Sequence, residues 1–309
     1  MQHVKQHTWI PAPELCYWDF SHDNAIGIQY MLIEKKPGRR LYHIWDDLSL
    51  EHKKIDMERV ANVLIELSRL KFNAVGNMMK GDAIGPPFYQ VPIDEYREET
   101  AMSNKPFSRH FEYLQFFLEL RSDGSEVFAR VGDILKSDLS SAATSSSSPL
   151  SDSYTAASTL RTSFLKSGHR AMTAIVFESD PPRLSGIIDW VYAATGPAYY
   201  LYEYPIFIQD IDHNKSPYAD NAILRRHFLS KLIHSFRKGS KDREEVRMCM
   251  KKSYILNWFH DVFVQMSGLS KEEFAVLAGN FVNEAEEGTG APYQGRPDYV
   301  PDEDVKGEY

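Results

Sequence analysis

The segment Ser185-Gly186-Ile187-Ile188-Asp189-Trp190 constrains this chain more than any other stretch. It is a short β-branched run that stops at one carboxylate beside a large aromatic, with Gly196-Pro197 close behind. Upstream, Ala174 to Glu178 forms a second apolar run. Between the two, Asp180-Pro181-Pro182-Arg183 has turn chemistry, because proline presets φ and Asp can hydrogen-bond its own backbone. The predicted unit is a hairpin of Ala174 to Glu178 and Leu184 to Asp189, with Asp189 at its exit. A strand ending in Asp is usually just the start of a turn, so its meaning depends on its surroundings.

Those surroundings are mostly helical. Met57, Val60, Ala61, Leu64, Ile65 and Leu70 recur at helical spacing, with Ser49 as a cap and Glu51 in the first turn. Leu224, Phe228, Leu232 and Phe236 form a stripe four residues apart, and Ile255, Trp258, Phe259, Val262, Phe263 and Met266 form a broader one. Ser270-Lys271-Glu272-Glu273 is a capping box ahead of Phe274 to Phe281. Apart from the hairpin, the one further strand predicted is Tyr30 to Glu34. The expected class is α+β, and the aromatic stripes are expected to be core.

With 309 residues, 43% hydrophobic, the chain can bury a large core, and its net charge of −8 offers no basic patch for nucleic acid. Two cysteines, Cys16 and Cys249, cannot make a disulfide framework. Met1-Gln2-His3-Val4-Lys5 has no apolar signal region, and no apolar run approaches the roughly 18 residues of a membrane helix. These features lead to the expectation of a cytoplasmic protein without membrane or nucleic-acid partners. Two segments read as poorly packing. The tail, bounded at 286–309, belongs to a stretch from Glu284 in which eight acids stand against Arg296 and Lys306, among glycines and prolines. The Ser-rich run from Ser137 to Ser158 is low-complexity and is expected to be a flexible loop.

Several motifs then occur in an order that resembles the fungal branch of the aminoglycoside phosphotransferase family. They are Ile10-Pro11-Ala12-Pro13-Glu14, Asn24-Ala25-Ile26-Gly27, Tyr30-Met31-Leu32-Ile33-Glu34-Lys35, Pro37-Gly38 and Trp45-Asp46-Asp47-Leu48-Ser49, followed by the Ile187 to Trp190 strand. The resemblance covers most of residues 1 to 285. It implies a protein-kinase-like fold, with a remnant small lobe and hinge over 1–36 and a helical large lobe over 37–285. It further implies that backbone groups of Met31, Ile33, Glu34 and Lys35 grip the adenine of ATP, that Asp189 holds magnesium, and that the activity is phosphoryl transfer to the hydroxyl of a small molecule. The sequence does not identify that acceptor.

Such chemistry needs a phosphate-covering loop, a Lys held by a Glu, a base for the acceptor hydroxyl and two metal ligands. Before residue 80 the glycines are Gly27, Gly38 and Gly76, separated and in turn contexts, so no phosphate cradle is visible. In relatives the cradle, the Lys and its Glu precede the segment matching Ile10 to Pro13, and here only nine residues do. Lys5 is the one cation there, read as a solvated helix residue. The family's catalytic loop runs roughly His-Gly-Asp-Leu-His-Pro-x-Asn, whereas this chain has Ser167-Gly168-His169-Arg170-Ala171-Met172-Thr173-Ala174. His169 falls at the Asp position and Ala174, which has no ligand atom, at the Asn position. His169 is either a substitute base of suitable ordinary pKa, near ~6.5, or a surface or packing histidine. Asp189 is either a weak one-carboxylate magnesium ligand or a strand-end cap.

Other constellations are weaker. His3 and His7 are spaced i, i+4 near Cys16, a set too loosely placed to read as a zinc site. No Gly-x-Ser-x-Gly elbow is present, and Asn214-Lys215-Ser216 means little as a glycosylation acceptor without a secretory signal. The residues therefore leave three readings: an active small-molecule kinase with an unusual catalytic loop, a non-catalytic kinase-like binding module, or an inactive relative.

Overall fold

The prolines and β-branched residues that predict the hairpin do form one. In a computed structural model, Ile175–Ser179 (β8) pairs antiparallel with Pro182–Ile187 (β9), with Ser179 opposite Pro182 and Ile175 opposite Ile187. The structure describes residues 1–79, 81–87, 103–141, 154–155, 175–179, 182–188, 190, 194–209, 220–265 and 269–287. Turn residues Asp180 and Pro181, like Asp189 itself, lie outside that set.

At the N-terminus Gln2–His7 (α1) leads through Ile10 to Pro13 into a separate two-stranded sheet, Leu15–Asp19 (β1) against Tyr30–Ile33 (β2). The short strand Arg39–Arg40 (β3) then pairs with β8, giving a three-stranded sheet ordered β3-β8-β9. A five-stranded sheet combines Lys71–Phe72 (β4), Gly76–Met78 (β5), Ile84–Gly85 (β6), Tyr154–Thr155 (β7) and Ala194–Pro197 (β10), in the order β4-β7-β10-β5-β6.

The helices carry the core. Leu50–Ser68 (α2) starts at Ser49, whose hydroxyl accepts the His52 N–H, and buries Met57, Val60, Ala61 and Leu64. It packs along Asn221–His234 (α5), where Leu224, Phe228 and Leu232 are buried as the four-residue spacing requires. Arg59 of α2 pairs with buried Asp56 and lies over the Phe177 ring of β8, 5.7 Å from its centroid, which ties helix to hairpin. His110–Arg121 (α3) packs beside Glu126–Ser141 (α4), and α4 packs against Lys271–Glu287 (α7). Lys241–Phe259 (α6) continues as a π-helical turn over 260–265, and Trp258, Phe259, Val262 and Phe263 are all buried. The capping box forms as read: Glu273 N–H donates to the Ser270 hydroxyl at 3.2 Å, and Ser270 N–H to the Glu273 carboxylate at 2.8 Å.

Two predicted boundaries are corrected. The Ser-rich segment is not loop throughout, since α4 runs to Ser141 and Tyr154–Thr155 is a strand between β4 and β10. Buried Phe128, Val131 and Leu135 anchor α4 and carry the helix into the serines. Likewise the acidic tail cannot begin at 286, because α7 extends to Glu287 and Glu286 pairs with Arg130 of α4 at 2.5 Å. Among the described residues no helix is long and apolar enough to cross a membrane.

Two buried histidines sit in the aromatic core. His110 Nε2 lies 2.6 Å from the Tyr199 hydroxyl, and His260 Nε2 lies 2.8 Å from the Tyr113 hydroxyl. Burial, helped by the His260 charge, lowers the His110 pKa from 6.5 to about 3. Between those values the unfolded chain binds a proton that the folded chain refuses, so stability is full above 6.5 and declines as pH falls toward 3. Denaturant melts across this window should show a loss on the order of 4 kcal/mol, and His110→Gln should flatten the slope.

Candidate functional site

The chain leaving β2 meets β9 through Lys36 and Pro37. Glu34 follows β2 and is held through both its backbone and its carboxylate. Its N–H donates to the Glu14 carbonyl at 2.8 Å, and the Glu14 N–H donates to its carboxylate at 2.9 Å. Lys36 Nζ reaches the other carboxylate oxygen at 3.0 Å, and Lys5 of α1 stands 3.8 Å from the carboxylate and 3.2 Å from Glu14. The Glu14 N–H, then the Lys36 ammonium, hold the Glu34 carboxyl below the usual carboxylate range. Lys5, read from sequence as solvated, therefore joins a cluster that fixes α1, the start of β1 and the hinge together.

After this cluster the chain turns through Lys35 to Gly38, where Gly38 takes φ +108°, a conformation costly for residues with a Cβ. The hinge lies directly on β9. The Ser185 hydroxyl sits 2.5 Å from the Pro37 carbonyl and 3.0 Å from that of Val176 in β8, so one side chain spans hinge and hairpin. Next to it Gly186 is buried beneath the Lys36 stem, and a Cβ there would come 2.8 Å from the Lys36 Cβ and closer to its Cγ. Ile187 N–H donates to the Pro11 carbonyl at 3.2 Å, and Trp190 Nε1 donates back to the Ile187 carbonyl at 2.7 Å.

Of the predicted adenine-gripping residues, Met31 and Ile33 lie in β2 against β1, and Glu34 and Lys35 follow it, just before the Lys36-Pro37 contact with β9. Met31 and Ile33 are 45% and 41% exposed, and neither backbone polar group of Lys35 has a partner among the described residues. His169 and Asp189 lie outside the described residues. Ser185 and Gly186 were missed as hinge contacts in the sequence. A glycine inside a β-branched run was the available signal, since it marks a place where another group packs close to the strand.

This arrangement can present backbone donors and acceptors to a flat heterocycle, but it supplies little for phosphates. Lys5 and Lys36, the cations built into the hinge cluster, are both engaged with carboxylates. A cavity of about 630 Å³ lies elsewhere, lined by Lys71, Phe72, Asp82, Ile84, Pro106 and Ser108 among others, and shares no residue with the hinge or β9. Compared with protein-family models and with curated proteins, the chain matches none.

The packing of the hinge on β9 is testable. Gly186→Val should drive the hinge off the strand and cost about 1 to 3 kcal/mol of overpacking, whereas Ser185→Ala should cost about 1 kcal/mol for one hydrogen bond. Chemical denaturation of the two variants beside the parent chain measures both.

Proposed function

We propose that this chain is a kinase-like module of the aminoglycoside phosphotransferase type that keeps the nucleotide hinge while its phosphoryl transfer is impaired or absent. The observation that carries this reading is the laying of the Lys35 to Gly38 hinge on β9, the strand that leads into Asp189. That order is what a kinase-like cleft requires: adenine at the hinge and a metal-binding carboxylate at the end of the facing strand.

Two features support lost catalysis. His169 and Ala174 stand where the family has its base and second metal ligand, and Lys5 and Lys36 neutralise Glu14 and Glu34. Removing even one well-placed electrostatic group costs roughly 3 kcal/mol of transition-state stabilisation. An active small-molecule kinase remains the second reading, favoured only by the motif order.

Thermal melting with and without Mg-ATP separates these readings. A binding module with millimolar affinity gains about 1 kcal/mol at several millimolar ligand, which is about 2 to 4 °C for a chain of this size. Asp189→Ala should remove the magnesium-dependent part of that rise, and His169→Ala should leave it intact, with no ATP consumed in the presence of hydroxyl-bearing acceptors. Acceptor-dependent ATP consumption lost in His169→Ala would overturn the non-catalytic reading. Absence of any nucleotide-dependent rise would remove the hinge assignment.

A further inference from the structure

On the face of α1 opposite Lys5, three metal-ligating side chains meet. His3 and His7, one turn apart, have ring centroids 4.1 Å apart. Asp82, distant in sequence, comes from the turn joining β5 to β6, and its Oδ1 is 2.8 Å from His3 Nδ1. One ligand atom from each of the three lies within 4.8 Å of the others.

The surroundings favour coordination over a simple polar contact. His7 Nδ1 donates to the His3 carbonyl at 2.9 Å, which leaves Nε2 as the ring atom that can ligate an ion. A backbone carbonyl on the far ring nitrogen is the usual outer partner of a metal-bound histidine. Asp82 has φ 61°, the one non-glycine residue in the left-handed region among the described residues. Such a backbone carries a cost of about 1 kcal/mol or more and concentrates at ligand-holding positions. Tetrahedral ligands bound at about 2.1 Å stand about 3.4 Å apart, so the His3–Asp82 pair, now in hydrogen-bond contact at 2.8 Å, opens by about half an ångström to admit an ion. His7 and Asp82 are exposed, so both are free to close the remaining gap.

We propose that His3, His7 and Asp82 form a binding site for one divalent transition-metal ion of the zinc and cobalt class. Two imidazoles and one carboxylate select such ions over magnesium and calcium, which take oxygen ligands. Three protein ligands leave a coordination position open. Asp82 also lines the 630 Å³ cavity, and the His3 ring packs 5.5 Å from Phe72 in its wall. The open position therefore adjoins that cavity, where a small anionic or carbonyl-bearing ligand can reach the ion.

The test is titration of the full chain, free of any histidine tag, with Co²⁺ followed by its visible absorption and with Zn²⁺ as competitor. One equivalent should bind, at least tenfold more weakly in His7→Ala and in Asp82→Asn, and unchanged in Cys16→Ser. Melting in EDTA should show that His7→Ala, an exposed change, leaves the fold intact. A parent chain that binds no Co²⁺, binding unaltered in both variants, or binding lost in Cys16→Ser would each overturn the site.

Discussion

The contact between the hinge and β9 is the constraint on which the rest of the N-terminal structure depends. A single hydroxyl, Ser185, holds the Pro37 carbonyl, and a missing side chain, Gly186, makes room for the Lys36 stem on the strand. Glu34 then determines the approach angle, because its backbone and carboxylate bind Glu14 while Lys36 and Lys5 close the cluster from either side. The pieces are small and polar, yet they decide how the chain leaving β2 lies against β9. The β3 pairing with Val176 and Phe177 continues the same junction into the three-stranded sheet.

Beyond this junction the β1–β2 sheet stands nearly uncovered. Tyr17, Trp18, Met31, Leu32 and Ile33 are each more than 40% exposed, as are Trp9, Phe20, Ile26 and Ile28 around them. The register places Tyr17 opposite Leu32 and Trp18 opposite Met31, so both faces of the sheet are apolar. Strands of that composition normally lie between two covering layers, and a lone hairpin is marginal in water. With half-exposed aromatics of 150–250 Å² each, the four rings alone present roughly 300 to 500 Å², at the upper range of patches on monomers. The Glu34 cluster fixes this hairpin at its base.

Local periodicity was legible wherever a segment buried one face. The α2, α5 and α6 stripes, the Ser49 cap and the Ser270 box all follow from side-chain spacing and short-range hydrogen bonding. The hairpin was legible because prolines and β-branched residues restrict the backbone directly. Long-range polar placement was not legible: Lys5 is the exposed helix residue it looked like, but nothing in its neighbourhood names Glu14 or Glu34 as partners. His3 and His7 looked loosely placed for the same reason, since Asp82 lies in a different element and only the fold supplies it. The Ser-rich segment misled by composition, because buried Phe128, Val131 and Leu135 outweigh the low propensity of the serines that end α4.

The distance from Asp189 to the hinge gives the sharpest test of the kinase-like reading, which requires the two to stand side by side. Nitroxide labels at Lys35→Cys and Asp189→Cys, in a Cys16→Ser background, report this through dipolar broadening of their EPR spectra. Strong broadening in the double-labelled chain, absent from either single label, is the expected result. Sharp, non-interacting spectra from a folded double-labelled chain would place Asp189 away from the hinge and contradict the kinase-like reading.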